Sequence, residues 1–147
     1  MSAHMEKQNP IRVLIVDDER SVRRTLEAFL KHAGYRVGVA EDVQHAKEML
    51  LVDDWDVVVS DIVMPQLSGV ELLKYIRETA PRVQVVMMTG EPTVDTASEA
   101  VRAGACDYLP KPIGKDGILR AVANAARIRR LEDERERLEE ENRAYQQ

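Results

Sequence analysis

Four short strand-like runs each end in a residue able to do chemistry. Asp17, Asp18 and Glu19 follow the run 11–16, Asp61 follows 57–60, Thr89 follows 83–88, and Lys111 lies just past 107–109. In an open parallel sheet the carboxyl ends of all strands share one rim, with a crevice at the topological switch point. Asp17, Asp18, Asp61, Thr89 and Lys111 would converge there. Crowded carboxylates repel, which raises the pKa of at least one. A divalent cation relieves that repulsion. Oxygen-only ligands with room for water suit Mg²⁺, which binds through one or two carboxylates and a phosphate. Lys111 adds a fixed positive charge and Thr89 a hydroxyl donor. With the metal they would clamp the three equatorial oxygens of a transferring phosphoryl group. A carboxylate in line with phosphorus completes a nucleophilic site, and Asp61, central on the rim with a loop over it, is the best placed. Taken singly, Asp and Thr after a strand read as helix N-caps, and Lys111 as a surface lysine. The joint placement at four strand ends carries the functional reading.

The elements that must position these residues follow from pattern. Ile11 to Val16 is a nearly continuous apolar strand. Val22, Leu26, Phe29, Leu30 and Ala33 then recur at i, i+4, i+7, i+8 and i+11, one face of a helix. Gly34 ends it, since glycine accepts the left-handed cap conformation. Residues 35–40 form a second strand, polar enough to be placed at an edge. Asp42 caps a helix carrying Val43, Ala46 and Leu50 on one face. A third strand at 57–60 precedes a helix at 69–80 with Val70, Leu73 and Ile76 inward. A fourth strand spans 83–88. A helix of small residues spans 93–103, with Val94, Ala97 and Val101 as a thin inward stripe, closed by Gly104. The fifth strand is 107–109, and a last helix starts near Lys115. Five strands alternating with five helices predict an α/β fold, a doubly wound parallel sheet.

Composition bounds the rest. The chain of 147 residues suits one domain, and its 44% hydrophobic residues supply a core, which excludes disorder for most of it. A net charge of −5 argues against a basic nucleic-acid footprint in this segment. The single Cys106 excludes an internal disulfide and a Cys-based zinc site, and fits a reducing, cytoplasmic compartment. No apolar run approaches the ~20 residues of a membrane helix, so no membrane partner is expected. Residues 1–9 read as a disordered N-terminus or an expression remnant. Residues 127–147 hold six Arg and seven Asp/Glu with few apolar residues. They read as the last helix running past the domain into solvent. Ile128, Leu131, Leu138 and Tyr145 leave a heptad trace interrupted by Arg135. A solvated helix laced by i,i+4 ion pairs and a coiled-coil linker both fit.

The motifs Val16-Asp17-Asp18-Glu19, Ser60-Asp61-Ile62-Val63-Met64-Pro65-Gln66-Leu67-Ser68-Gly69, Met88-Thr89-Gly90 and Asp107-Tyr108-Leu109-Pro110-Lys111-Pro112 closely resemble the receiver domain of two-component response regulators. The resemblance covers about residues 10–125. It implies a flavodoxin-like, five-stranded sheet of order 2-1-3-4-5. It implies Asp61 as acceptor of a phosphoryl group from a sensor histidine kinase. Asp18, Asp61 and the Val63 carbonyl are implied as direct Mg²⁺ ligands, with Asp17 acting through water. Lys111 and Thr89 are implied on the phosphoryl oxygens, Thr89 and Tyr108 as switch residues, and a cis bond before Pro112. Val63, Gly90 and Glu91 occupy positions that vary in the family and tune dephosphorylation. Signalling is expected through the face built from the fourth helix, fifth strand and fifth helix. The segment 126–147 is expected to be a helical extension, linking to an output domain such as an ATPase transcription activator or a cyclic-dinucleotide phosphodiesterase. A homodimer through it is expected to be weak at most.

Two rivals come from other classes. A phosphohydrolase using an aspartyl-phosphate usually places a second acid two residues after the nucleophile, where Val63 cannot transfer protons. A flavin carrier of similar topology would find its phosphate repelled by the acidic rim. Self-phosphorylation and self-dephosphorylation are therefore the only chemistry expected. His4, His32 and His45 lack metal-ligand spacing and read as solvated. Cys106, Trp55, Met87 and Met88 read as packing.

Overall fold

The computed structural model describes residues 10–146. The expectation for residues 1–9 lies outside the described residues. Strands β1 (Arg12–Val16), β2 (Arg36–Ala40), β3 (Val57–Asp61), β4 (Gln84–Thr89) and β5 (Asp107–Pro110) alternate with helices α1 (Arg20–His32), α2 (Val43–Val52), α3 (Gly69–Thr79), α4 (Val94–Arg102) and α5 (Lys115–Tyr145). All strands pair in parallel, in the order β2-β1-β3-β4-β5. The β-branched runs of β1, β3 and β4 are buried on both faces, as central parallel strands must be. Polar β2 takes an edge.

The period-two alternation of strand side chains divides the core into two layers. Leu14, Val16, Val58 and Val85 pack with α2 and α3 through Ala46, Leu73 and Ile76. Val13, Ile15, Val57, Val59 and Val86 pack with α1 and α5 through Leu26, Leu30, Ile118 and Val122. The caps anticipated at Gly34 and Asp42 are present: Gly34 sits at φ 98°, and the Asp42 carboxylate accepts from the His45 amide at 2.7 Å. Leu72, absent from the sequence stripe, is also fully buried.

Three expectations need correction. The stripe assigned inward on α4 faces out: Val94 and Val101 are exposed, and Ala100 is the buried residue. The more apolar face, with both valines, is the one turned outward, so the contacts made by Thr96 and Ala100 rather than side-chain hydrophobicity set the rotation of this helix. Thr96 and Ala100, one turn apart, face the core side, where the Thr96 hydroxyl meets the Tyr108 hydroxyl at 2.6 Å. The final helix runs past residue 125 without a break, yet its extension is not free of the body. Arg129, Asp133 and Glu136 are only partly exposed and make ion pairs with it. His32 is exposed, but His45 is half-buried, and its Nδ1 is buried without a hydrogen-bond partner.

Candidate functional site: the acidic carboxyl rim

Strand register and loop packing build the rim. Val16 of β1 lies beside Ser60 of β3, and Asp61 beside Met88 of β4, so Asp17, Asp61 and Thr89 end their strands at nearly one level. Asp17 is fully buried. One of its oxygens accepts from the Glu19 amide at 2.9 Å, which fixes the turn into α1. The other accepts from Lys111 Nζ at 2.8 Å. Asp61, also buried, accepts from the same ammonium at 3.1 Å through Oδ2 and from the Val63 amide at 3.4 Å through Oδ1. Asp18 is exposed. Carboxylate oxygens of Asp17, Asp18 and Asp61 all lie within 4.8 Å of one another.

Lys111 follows β5, its amide bonded to the Thr89 carbonyl at 2.7 Å, and the Lys111-Pro112 peptide is cis. Only the fringe of the ammonium reaches Glu19, at 3.7 Å. Burial pushes the Asp61 carboxyl up, and the neighbouring Asp17 adds to this; the Lys111 hydrogen bond opposes it without cancelling it. Burial alone would lower the Lys111 ammonium, but its bonds to Asp17 and Asp61 hold it above its ordinary value. One ammonium thus serves three clustered carboxylates. Hard oxygen donors with negative charge to spare fit a small divalent cation such as Mg²⁺.

Thr89 is buried at the rim, with its hydroxyl accepting from the Glu91 amide at 3.0 Å. Val63 is exposed beside Asp61. Tyr108 is half-buried and turned to Thr96 on α4, away from the carboxylates. Two contributors escaped sequence reasoning. Arg23 donates from Nη1 to the Asp17 carbonyl at 2.8 Å and braces the acidic turn. Its signal was available: Arg20, Arg23 and Arg24 crowd a helix N-terminus, where the macrodipole disfavours cations. Gly69, the first residue of α3, is the other. A Cβ there would lie 2.1 Å from the Asp61 carbonyl oxygen, so only glycine lets α3 start so close to that strand end.

A five-stranded parallel α/β sheet with an acidic pocket and a lysine at its carboxyl rim is the architecture of a signalling receiver. Residues 13–123 match the family model described as "Response regulator receiver domain". The chain belongs to that family and is a receiver domain of the two-component type. It is 36% identical over 124 residues to "Response regulator MprA" of Mycobacterium ulcerans, covering 84% of this chain and 53% of that protein. It is 36% identical over 141 residues to "Alginate biosynthesis transcriptional regulatory protein AlgB" of Pseudomonas aeruginosa, covering 96% of this chain and 31% of that protein. The chain therefore spans about half of the first relative and under a third of the second. Among solved structures it is similar to the signal receiver domain of an HD domain-containing protein from Pseudomonas fluorescens, with TM-score 0.83, 27% identity, and coverage of 87% of this chain and 95% of that one. It is also similar to a beryllofluoride-activated NtrC4 receiver domain dimer, with TM-score 0.77, 34% identity, and coverage of 80% and 98%. Among the described residues no helix is long and apolar enough to cross a membrane.

Proposed function

We propose that Asp61 accepts a phosphoryl group from a sensor histidine kinase and that the domain relays this to an output domain or partner in the cytoplasm. The observation that carries the reading is the Lys111 ammonium shared between buried Asp17 and Asp61 at the strand switch point. Asp61 Oδ attacks phosphorus as the bond to the donor's histidine nitrogen breaks, forming an acyl phosphate. Lys111 and Thr89 bind the phosphoryl oxygens. Asp18, Asp61 and the Val63 carbonyl would hold Mg²⁺ directly and Asp17 through water; the cation, when bound, neutralises charge on the phosphoryl oxygens. The added charge, ~−1.5 to −2 near neutral pH, draws Thr89 inward, and Tyr108 fills the space that Thr89 vacates. That rearrangement reshapes the α4-β5-α5 face. α4 is suited to move, because Ala100 is its one fully buried side chain. Residues 10–125 are the receiver, and 126–147 the helical extension.

The test is labelling with acetyl phosphate as donor. The parent should label only with Mg²⁺ present, and Asp61→Asn, which keeps the shape but loses the nucleophilic charge, should not label. Full labelling of the Asn variant would assign the acceptor elsewhere.

A further inference from the structure

Hydrophobic adhesion of α5 ends at Ala126. Ile118, Ala121, Val122, Ala125 and Ala126 are buried, whereas Leu131 and Leu138 stand half exposed. Contact with the body nevertheless continues for nearly three more turns, through ion pairs and a hydrogen bond. Arg129 Nη1 donates to the Trp55 carbonyl at 3.3 Å, and its Nε binds both Asp133 oxygens at 3.0 and 3.1 Å. Arg82, in the turn before β4, reaches across to Asp133 at 2.6 Å through Nη1 and to Glu136 at 3.1 Å through Nε. Residues 129, 133 and 136 recur at i, i+4 and i+7, which extends the buried stripe of 118, 122 and 125 along one helix face.

The body side of this contact is itself ordered. Asp56, 3.7 Å from Arg129, accepts from the Arg12 amide at 2.9 Å. Arg12 lies over the Trp55 ring at 5.2 Å and pairs with Asp53. The amino ends of β1, β3 and β4 are thus tied to the helix.

We infer that Arg82 and Arg129 form an ionic strap that makes α5 part of the receiver's rigid body as far as Glu136, and that opening the strap lets the extension swing as an intact helix. The swing is rigid because the extension holds its own helix: Arg135 pairs with Glu132 at 3.3 Å, and Arg137 pairs with Glu134 and Glu141. The strap is releasable because its outer pairs, Arg82 with Asp133 and with Glu136, are about 40% exposed and screened by salt, unlike the apolar contacts before residue 126. The direction in which the helix leaves the domain is set at the amino rim, far from the carboxyl-rim site, and this holds whether or not Asp61 is the phosphoacceptor.

The experiment is a spin-label distance measurement on the full chain, with labels at Glu78→Cys on α3 and Glu140→Cys on the extension, in a Cys106→Ala background. The parent should give one narrow distance distribution at low salt that widens at least twofold at high salt. Arg82→Glu should give the wide distribution at low salt, Arg82→Lys an intermediate one, and Arg137→Ala the narrow one. Asp133→Asn with Glu136→Gln cuts the strap from the exposed helix side, so it tests the same point without touching the sheet, and it should widen the distribution equally. A narrow distribution in that double variant, or a wide one in the low-salt parent, overturns the inference.

Discussion

At the carboxyl rim four acidic side chains, Asp17, Asp18, Glu19 and Asp61, stand around one ammonium, Lys111. At the amino rim three guanidiniums, Arg12, Arg82 and Arg129, meet Asp53, Asp56, Asp133 and Glu136. The first network is buried where it matters: the side chains of Asp17 and Asp61 are 0% and 7% exposed, against 41% and 46% for Asp133 and Glu136. Burying unbalanced charge is costly, so a fold keeps it only where something else supplies the missing charge. Near balance at the surface costs little and serves to hold parts together. Charge imbalance combined with burial, rather than the number of ion pairs, separates a chemical site from a mechanical one.

The sharpest way to break this contrast is to neutralise one acid at each rim. Asp61→Asn should abolish Mg²⁺-dependent labelling by acetyl phosphate, a loss beyond the detection range. Asp133→Asn should leave the labelling rate within about twofold, the scale of a surface substitution. Equal losses in the two variants would erase the distinction between the rims.

Backbone crowding gives the next largest effect. Gly69→Ala would drive a methyl against the Asp61 carbonyl, a rigid neighbour, and should destabilise the fold by about 2 kcal/mol or more in denaturant unfolding. Gly90→Ala, where no atom lies within 4 Å of the added Cβ, should change stability by less than about 0.5 kcal/mol. A mild Gly69→Ala would mean that α3 can back away from the rim, and that the site is less tightly built than the close approach implies.

The two rims differ as much in how readable they were. Parallel topology puts every strand's carboxyl end on one side, so Asp17, Asp18, Asp61 and Lys111 were placed together by pattern alone. The strap was not readable. Arg82 and Asp133 are 51 positions apart, and neither marks a strand end or a helix cap. Their meeting depends on the direction in which α5 crosses the sheet. The strands were legible because β-branched runs buried on both faces leave few alternatives. The rotation of α4 was not, because the more apolar stripe of Val94, Ala97 and Val101 is not the side that packs; the Thr96 and Ala100 side is. The Tyr108 to Thr96 contact that settles it joins residues whose side chains no periodicity relates.

A smaller effect reads the charge imbalance as stability. The folded-state pKa of Asp61 is raised from 3.8, chiefly by burial. Between that value and the raised one the folded chain holds the proton more firmly than the unfolded chain does. Stability is therefore lost as pH rises through this window, and the full penalty stands at neutral pH. Asp61→Asn removes the penalty while Lys111 keeps its bond to Asp17. Without divalent cations the variant should be more stable than the parent at neutral pH, with the gap closing as pH falls to the ordinary carboxylate range. Millimolar Mg²⁺ should narrow or reverse the gap, because a ligand of the folded parent stabilises it by mass action. Thermal unfolding across pH, with and without Mg²⁺, checks both statements. A parent that is the more stable at neutral pH without the metal would show that Lys111 already balances the pocket.

The smallest effect concerns self-association through the extension, the part of α5 that the strap leaves facing outward. At 100° per residue the seam of Ile128, Leu131, Leu138 and Tyr145 lies roughly opposite the face carrying Arg129, Asp133 and Glu136, so the strap does not hide it. Leu131 and Leu138 are exposed and offer some apolar area to a second copy. With Ile128 at heptad position a, Leu131 and Leu138 fall at d, Glu132 and Glu139 at e, and Glu134 and Glu141 at g. In a parallel, in-register pair Glu134 of one chain faces Glu139 of the other, and these like charges oppose pairing. Arg137 offers no relief across the seam, being taken by Glu134 and Glu141 of its own helix. Arg135 at position a adds a buried cation to the seam. Association should therefore be no tighter than roughly the 0.1–1 mM range at neutral pH. Analytical ultracentrifugation of the full chain and of Leu131→Ala with Leu138→Ala measures this. A micromolar dimer at neutral pH and low salt, lost in the double Ala variant, would show that the apolar seam outweighs the glutamate repulsion and that the extension is an assembly surface in its own right.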